Sequence, residues 1–136
     1  MTTETSNNGA PPTKILVIED DALTRLTLCN IFGRMNYATI EASNGIAGMQ
    51  MFRQEKPDIV VTDLLMPDKE GLETITEIRA LDPYVKIIAM SGGGSTHNLD
   101  FLQLARKFGA NYTLSKPFRP TDILELLQNI QPVKGA

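Results

Sequence analysis

The sequence predicts an α/β fold built on one parallel sheet. Five short runs of apolar, largely β-branched residues recur along the chain, and a segment with helical periodicity follows each of them. With 136 residues, of which 42% are hydrophobic, the chain suits one compact domain. We expect a flexible polar tail over residues 1–13, the domain over residues 14–130, and a short tail over residues 131–136 with no attached output domain.

Strands and helices are predicted to alternate from one end of the domain to the other. The strands are expected at residues 14–18, 39–41, 58–63, 85–90 and 111–115. The first of them is continuously apolar after Lys14, which is typical of a central strand covered on both faces. The helices are expected at about residues 22–35, 45–56, 72–81, 96–108 and 121–130.

The ends of the helices carry recognisable signals. Asp21 and Asn44 are suitable N-caps for the first two helices, because their side chains accept hydrogen bonds from free backbone N–H groups. Pro57 stops the second helix, Gly109 is a suitable left-handed residue after the fourth, and Pro120 precedes the fifth. The apolar faces of the first two helices are predicted from Leu23, Leu26, Leu28, Ile31, Phe32 and Met35, and from Ile46, Met49 and Phe52.

Composition excludes several classes of protein. Thirteen Lys and Arg against 16 Asp and Glu give a net charge of −3, so we expect no direct nucleic-acid partner. Cys29 is the single cysteine of the chain, which rules out an internal disulfide and a cysteine-based metal site. No apolar run approaches the roughly 20 residues that cross a bilayer, and the first residues lack a secretion signal. We therefore expect no membrane insertion and a cytoplasmic location.

Polar and charged residues collect where the predicted strands end. Glu19 and Asp20 follow the first strand, and Asp63 ends the third. Ser91 follows the fourth strand and Lys116 the fifth. Functional groups in an open parallel sheet gather beyond the carboxyl ends of the strands. We expect these five side chains to converge although they are far apart in the sequence.

Three clustered carboxylates need a cation, since two charges about 4 Å apart repel by on the order of 4 kcal/mol at an effective dielectric of 20. Oxygen ligands without His or Cys favour Mg²⁺ over Zn²⁺. A carboxylate beside Mg²⁺ and an ammonium group is equipped to attack phosphorus, because both cations neutralise the transferring phosphoryl group. We assign Asp63 as the nucleophile. Ser91 would donate a hydrogen bond to a phosphoryl oxygen, and Lys116 would pair with Asp63 at rest.

Four fragments at the strand ends carry a family resemblance. They are Ile15–Asp21 (ILVIEDD), Val60–Pro67 (VVTDLLMP) with Gly71, Met90-Ser91, and Lys116–Phe118 (KPF). In this order and at these places they resemble the receiver domain of bacterial two-component response regulators over residues 14–130. The resemblance implies a stand-alone receiver with a flavodoxin-like, doubly wound sheet in strand order 2-1-3-4-5 and five flanking helices.

The resemblance also implies a signalling phosphoacceptor. Asp63 would take a phosphoryl group from a phosphohistidine on a histidine kinase or a histidine phosphotransfer protein, and Ser91 and Lys116 would contact that group. The domain would catalyse its own phosphorylation and dephosphorylation and would not be a turnover enzyme. The implied Mg²⁺ ligands are the carboxylates of Asp20 and Asp63, the backbone carbonyl of Leu65, and Glu19 through water.

In the family, phosphorylation shifts the fourth helix, fifth strand and fifth helix, so the resemblance places a downstream protein target on that face. Phosphorylation-linked homodimers through these helices also occur in the family. A cis peptide bond between Lys116 and Pro117 is implied as well. Thr113 stands where an aromatic switch residue is common, and Tyr112 should point to the other face, so we expect no aromatic switch. Gly92–Gly94 should make the next loop mobile before phosphorylation, and its ordering part of the switch.

Other functions remain open at this point. A degenerate receiver could bind partners constitutively, although it would not need the acids, Ser91 and Lys116 together. An aspartyl-phosphate phosphohydrolase would also use Asp63, but that class usually has a second acid two residues later, where this chain has Leu65. The glycines after Ser91 could cradle a nucleotide phosphate, yet the Lys-Ser/Thr pair of a P-loop is missing.

Overall fold

Strands and helices alternate in a computed structural model that describes residues 13–64, 71–92 and 98–130. The strands are β1 (Lys14–Ile18), β2 (Ala38–Ala42), β3 (Ile59–Asp63), β4 (Lys86–Ser91) and β5 (Tyr112–Ser115). The helices are α1 (Ala22–Arg34), α2 (Gly45–Glu55), α3 (Gly71–Leu81), α4 (Asn98–Phe108) and α5 (Pro120–Asn129). Residues 1–12 of the predicted tail over 1–13, the predicted tail over 131–136, Leu65, and Gly93-Gly94 lie outside the described residues.

The five strands form one parallel sheet in the order β2-β1-β3-β4-β5, which confirms the predicted topology. In the register, Ile15 of β1 lies beside Ile59 of β3, and Asp63 of β3 lies beside Met90 of β4. The inner strands β1, β3 and β4 are buried along almost their whole length. This order places the carboxyl ends of β1 and β3 next to each other.

Helices cover both faces of the sheet, as predicted for a doubly wound fold. Helices α2, α3 and α4 pack on one face around a cluster that includes Leu16, Val60, Ile75, Ile87 and Leu102. Helices α1 and α5 pack on the other face around a cluster that includes Val17, Phe32, Val61, Ile88 and Ile123. Successive residues of a strand point to opposite faces, so each inner strand supplies side chains to both clusters.

The predicted caps of α1 and α2 and the residue after α4 are confirmed, whereas Pro120, predicted to precede α5, is its first residue. The carboxylate of Asp21 accepts a hydrogen bond from Thr24 N at 2.8 Å, and the amide oxygen of Asn44 accepts one from Ala47 N at 2.8 Å. Gly109 follows α4 with φ of +132°, in the region that favours glycine. The observed bounds differ from the predicted ones by one or two residues at most ends, as in β2, which is one residue longer at each end.

Three residues predicted in the apolar helix faces are exposed, so these predictions are wrong. Leu23, Leu26 and Ile46 expose 72, 52 and 55% of their surface. Leu23 lies five residues before buried Leu28, which is roughly 140° around α1. In α2 a three-residue spacing drifts by about 60° per step against the 3.6-residue turn, so Ile46 leaves the face that buries Phe52.

Arg79, at the end of α3, joins four segments at the amino edge of the sheet. Its guanidinium donates hydrogen bonds to Gly109 O at 2.7 Å, Val85 O at 2.8 Å and Asp82 O at 3.1 Å. It also donates to the side chain of Asn111 at 2.8 Å. A charged donor to several backbone carbonyls is among the stronger hydrogen-bonding arrangements in proteins, so Arg79 fastens the ends of α3 and α4 to the starts of β4 and β5.

Gly71 lies where α3 begins against the end of β3. Its N–H donates to Leu64 O at 3.0 Å. A Cβ atom on Gly71 would lie 2.2 Å from the carbonyl oxygen of Asp63 and 2.5 Å from the Cα atom of Leu64. Both neighbours are backbone atoms, so only a residue without a side chain allows this approach. Gly33 in α1 differs, because nothing lies within 4 Å of a Cβ built there.

We predict opposite effects of alanine at these two glycines. Gly71→Ala forces the backbone of Asp63 and Leu64 to move and lowers the free energy of unfolding by about 3 kcal/mol. Gly33→Ala improves helix propensity in open space and raises it by about 0.5 kcal/mol. Urea unfolding followed by circular dichroism measures both, and similar effects of the two substitutions would contradict this account of Gly71.

Candidate functional site at the carboxyl edge of the sheet

The carboxyl ends of β1, β3, β4 and β5 bring the predicted site residues together. Carboxylate oxygens of Glu19, Asp20 and Asp63 lie within 4.8 Å of one another. Lys116 Nζ lies 2.6 Å from Glu19 Oε1 and 3.1 Å from Asp63 Oδ2. Ser91 stands beside Lys116, because its carbonyl accepts a hydrogen bond from Lys116 N at 2.9 Å. All five side chains therefore belong to one edge of the sheet.

Glu19 is fully buried, and both its backbone and its carboxylate form hydrogen bonds. Its N–H donates to Ala42 O of β2 at 3.0 Å, which continues the strand ladder by one residue. Its carboxylate accepts from Lys116 and, at 3.1 Å, from Asp21 N. Burial raises the pKa of Glu19 to about 7, and the charge of Asp63 adds to the rise, although the bonds from Lys116 and Asp21 oppose it. The fold thus places this carboxylate where its charge is costly.

Lys116 is the cation that faces these acids. Burial would lower the pKa of its ammonium group, but the hydrogen bonds and charges of Glu19 and Asp63 outweigh burial and raise it above the usual value. The ammonium group therefore stays charged at neutral pH. The peptide bond between Lys116 and Pro117 is cis, as the resemblance implies.

Among the described residues, three carboxyl groups gather at this edge, and two of them pair with Lys116. Asp63 is 5% exposed and Glu19 is fully buried, so water screens these two groups poorly. Asp20, the third acid of the cluster, is exposed. Oxygen ligands this close together suit a hard divalent cation such as Mg²⁺. The donor set therefore fits the ion that the sequence predicts, although Leu65 lies outside the described residues.

Arg25 of α1 also contacts this edge, although the sequence analysis did not single it out. Its Nη1 donates to the backbone carbonyl of Glu19 at 2.7 Å, and its Nε donates to Glu41 of β2 at 3.0 Å. A signal existed in the sequence, since Arg25 lies one helical turn after the capping Asp21. That spacing gives no information about a contact with β2, which follows only from the strand order.

An open groove borders the cluster between α1 and the segment after β5. Its volume is 430 Å³, and its lining residues are Leu23, Thr24, Thr27, Lys116, Pro117 and Phe118. We call it the α1 groove. Lys116 belongs both to the groove and to the acidic cluster, so the groove borders the cluster.

Tyr112 and Thr113 lie on opposite faces of β5, as the alternation of strand residues predicts. Tyr112 packs against the cluster beneath α1 and α5, and its hydroxyl donates to Asn129 O at 3.3 Å. The Tyr112 ring therefore packs on the side of the sheet that α5 covers.

Within the described residues, none of the helices combines the length and the apolar character needed to cross a membrane.

Comparison with known proteins agrees with this architecture. The family model for the response regulator receiver domain matches residues 15–128. Chemotaxis protein CheY of Thermotoga maritima is 34% identical over 118 residues, which cover 86% of this chain and 96% of that protein. Sporulation initiation phosphotransferase F of Bacillus subtilis is 29% identical over 122 residues, 90% of this chain and 96% of that protein.

Solved structures show the same fold. A receiver domain protein from Clostridium thermocellum has a TM-score of 0.79 at 29% identity, covering 86% of this chain and 92% of that one. A CheY-like receiver domain protein from Methanospirillum hungatei has a TM-score of 0.77 at 26% identity, covering 86% and 91%. With the acidic cluster and Lys116 at the strand ends, these similarities show that the chain belongs to the response regulator receiver domain family, the phosphoacceptors of two-component signalling.

Proposed function

We propose that Asp63 is the phosphoacceptor of this receiver domain. The observation that supports this most directly is the position of its carboxylate, at the end of an inner strand and 3.1 Å from Lys116 Nζ. A carboxylate oxygen of Asp63 attacks the phosphorus of a phosphohistidine on a histidine kinase or histidine phosphotransfer protein. The new O–P bond forms as the N–P bond breaks, and the imidazole nitrogen recovers a proton from water.

Lys116 and Ser91 prepare Asp63 for this transfer. The raised pKa of Lys116 keeps its ammonium group charged, so it orients the Asp63 carboxylate at rest and neutralises phosphoryl oxygens afterwards. The hydrogen bond between Ser91 O and Lys116 N fixes the ends of β4 and β5 side by side, and the Ser91 hydroxyl is the proposed donor to a phosphoryl oxygen. The same groups serve hydrolysis of the aspartyl phosphate, so the domain catalyses its own phosphorylation and dephosphorylation.

Mg²⁺ is the proposed cofactor. Asp20, Asp63, the Leu65 carbonyl and, through water, Glu19 would hold it. The bound ion would supply positive charge to the phosphoryl oxygens. The supporting observation is that three carboxylates lie within 4.8 Å of one another, and that salt bridges join two of them, Glu19 and Asp63, to Lys116.

The α1 groove is the proposed docking site of the phosphohistidine protein. A donor must reach Asp63 with its imidazole, and the groove shares Lys116 with the acidic cluster. Leu23 exposes 72% of its surface beside this opening, which gives an apolar contact for a helical donor surface. We place this phosphoryl transfer in the cytoplasm, where histidine kinases are phosphorylated from ATP.

The downstream partner is proposed to bind the face formed by α4, β5 and α5. Leu104 of α4 and Leu124 of α5 expose 39 and 43% of their surface. Phe108 lies instead in a groove with Leu72 and Thr76 of α3. The switch would pass from Asp63 through the loop after Ser91 to α4, without an aromatic residue at Thr113. A homodimer through this face, formed on phosphorylation, is compatible with the same apolar residues.

Asp63→Asn is expected to abolish phosphorylation, because an amide oxygen is not a nucleophile for phosphorus. Intact mass after incubation with acetyl phosphate and Mg²⁺ should show one phosphoryl adduct on the unmodified chain and none on the variant. Asp82→Asn is the matched control, since Asp82 accepts its bonds from Tyr84 N and Val85 N through an oxygen that asparagine retains. An adduct that persists in Asp63→Asn would remove the proposed acceptor, and no adduct on the unmodified chain would favour constitutive binding.

Asp20→Asn is expected to stabilise the protein slightly without Mg²⁺ and to weaken its response to the ion. Removing one of three like charges raises the free energy of unfolding by about 0.5 kcal/mol, since the exposed charge is largely screened. Adding Mg²⁺ should stabilise the unmodified protein much more than the variant, because only the folded site binds the ion. Urea unfolding with and without Mg²⁺ measures this, with Glu125→Gln on α5 as the control. An equal Mg²⁺ response in Asp20→Asn and the unmodified protein would contradict the proposed ligand set.

Leu23→Glu is expected to slow phosphotransfer from a phosphohistidine protein by about 10-fold, because it puts a charge into an apolar contact. Phosphorylation by acetyl phosphate should not change, since that donor needs no docking surface. Leu26→Glu is the matched control, because Leu26 is exposed on the same helix and does not line the α1 groove. An equal loss of phosphotransfer rate in the two variants would argue against docking in this groove. So would a slower reaction of Leu23→Glu with both the phosphohistidine protein and acetyl phosphate.

A further inference from the structure

Arg25 forms a brace between β2 and the end of β1. One arm of its guanidinium donates to Glu19 O at 2.7 Å, and Nε donates to Glu41 Oε1 at 3.0 Å. The Arg25 side chain is only 19% exposed, whereas Glu41 on the edge strand is 50% exposed. The ion pair therefore orients a mostly buried guanidinium, and the guanidinium in turn holds a backbone carbonyl.

The backbone carbonyl of Glu19 belongs to the peptide that leads to Asp20. The Glu19 N–H is fixed by Ala42 O of β2, so the peptide before Glu19 is held by the sheet. The peptide after it, between Glu19 and Asp20, lies beyond the end of β1. Among the described residues, the Arg25 side chain donates a hydrogen bond to the carbonyl oxygen of this second peptide. With both peptides fixed, the backbone at Glu19 has one orientation, and Asp20 leaves it in one direction.

We propose that Arg25 is a positioning residue for the divalent-cation site. It holds the peptide between Glu19 and Asp20 so that both carboxylates face Asp63, and it does not touch the ion. This inference rests on the proposed function, because it concerns the Mg²⁺ site described there. Residues that orient metal ligands through hydrogen bonds commonly change metal affinity by about 10- to 100-fold when they are removed.

Charge and position make opposite predictions for Arg25→Gln. The substitution removes a positive charge beside the backbone of Glu19, so electrostatics alone would make cation binding tighter. Without the hydrogen bond from Arg25, the orientation of Asp20 is no longer fixed. A positioning role therefore predicts weaker cation binding. The sign of the change in Mg²⁺ affinity therefore separates the two explanations.

Isothermal titration of the purified protein with Mg²⁺ tests the inference. We expect the Kd to rise about 10-fold in Arg25→Gln. In Arg25→Lys it should rise by about threefold, because one ammonium group donates to Glu19 O but cannot brace Glu41 in the same fixed fork. Arg53→Gln is the matched control, since Arg53 pairs with Glu77 at 3.0 Å on α2 and α3, outside the acidic cluster. Its Kd should stay within about twofold of the unmodified value.

The Mg²⁺ titrations separate the role of Arg25 from the existence of the metal site. Unchanged or tighter binding in Arg25→Gln, with normal binding by the unmodified chain, would overturn the role of Arg25 and leave the proposed metal site intact. Failure of the unmodified chain to bind Mg²⁺ would overturn the metal site itself. Should Arg25→Gln not fold alone, it is combined with Gly33→Ala, which fills open space in α1, and compared with Gly33→Ala alone. A mere loss of stability would leave the Kd of the folded protein unchanged.

Discussion

The bridge from Lys116 to Glu19 and Asp63 is the interaction on which the site depends. It joins the ends of three strands, and its partners are buried carboxylates whose repulsion would otherwise oppose the fold. The bridge exists only because β1 and β3 are neighbours and β5 lies beyond β4 on the same edge. Strand order, and not proximity in the chain, thus creates the acidic cluster. The three carboxyl groups gathered there fit a hard divalent cation.

Much of the fold was predictable, because its signals are local. Asp21, Asn44 and Gly109 act at helix ends through their own backbone neighbourhoods, so spacing alone located them. The convergence of the acids with Lys116 was predictable for a different reason, since every strand of a parallel sheet delivers its last residues to the same edge. Neither inference required knowledge of packing.

What the sequence did not reveal depends on contacts between elements. Leu23 is apolar and lies in a helix, yet its exposure follows from which stripe of α1 meets the sheet. Arg25 resembles any basic residue of a surface helix until β2 is known to lie beside β1. Gly71 could be noted in the family pattern, but the close approach to Asp63 that requires a glycine is visible only in three dimensions.

Arg79 shows how the two edges of the sheet differ. At the amino edge one guanidinium is shared among the ends of α3 and α4, the segment before β4 and the residue before β5. A substitution there disturbs several segments at once, so sequence drift at that edge is costly. The α1 groove lies at the opposite edge, and its exposed Leu23 makes no comparable set of backbone contacts among the described residues. With donors docking in the α1 groove, as proposed, related receivers can differ in their donors through substitutions on α1 while the amino edge stays the same, so signalling pathways can diverge without a new fold.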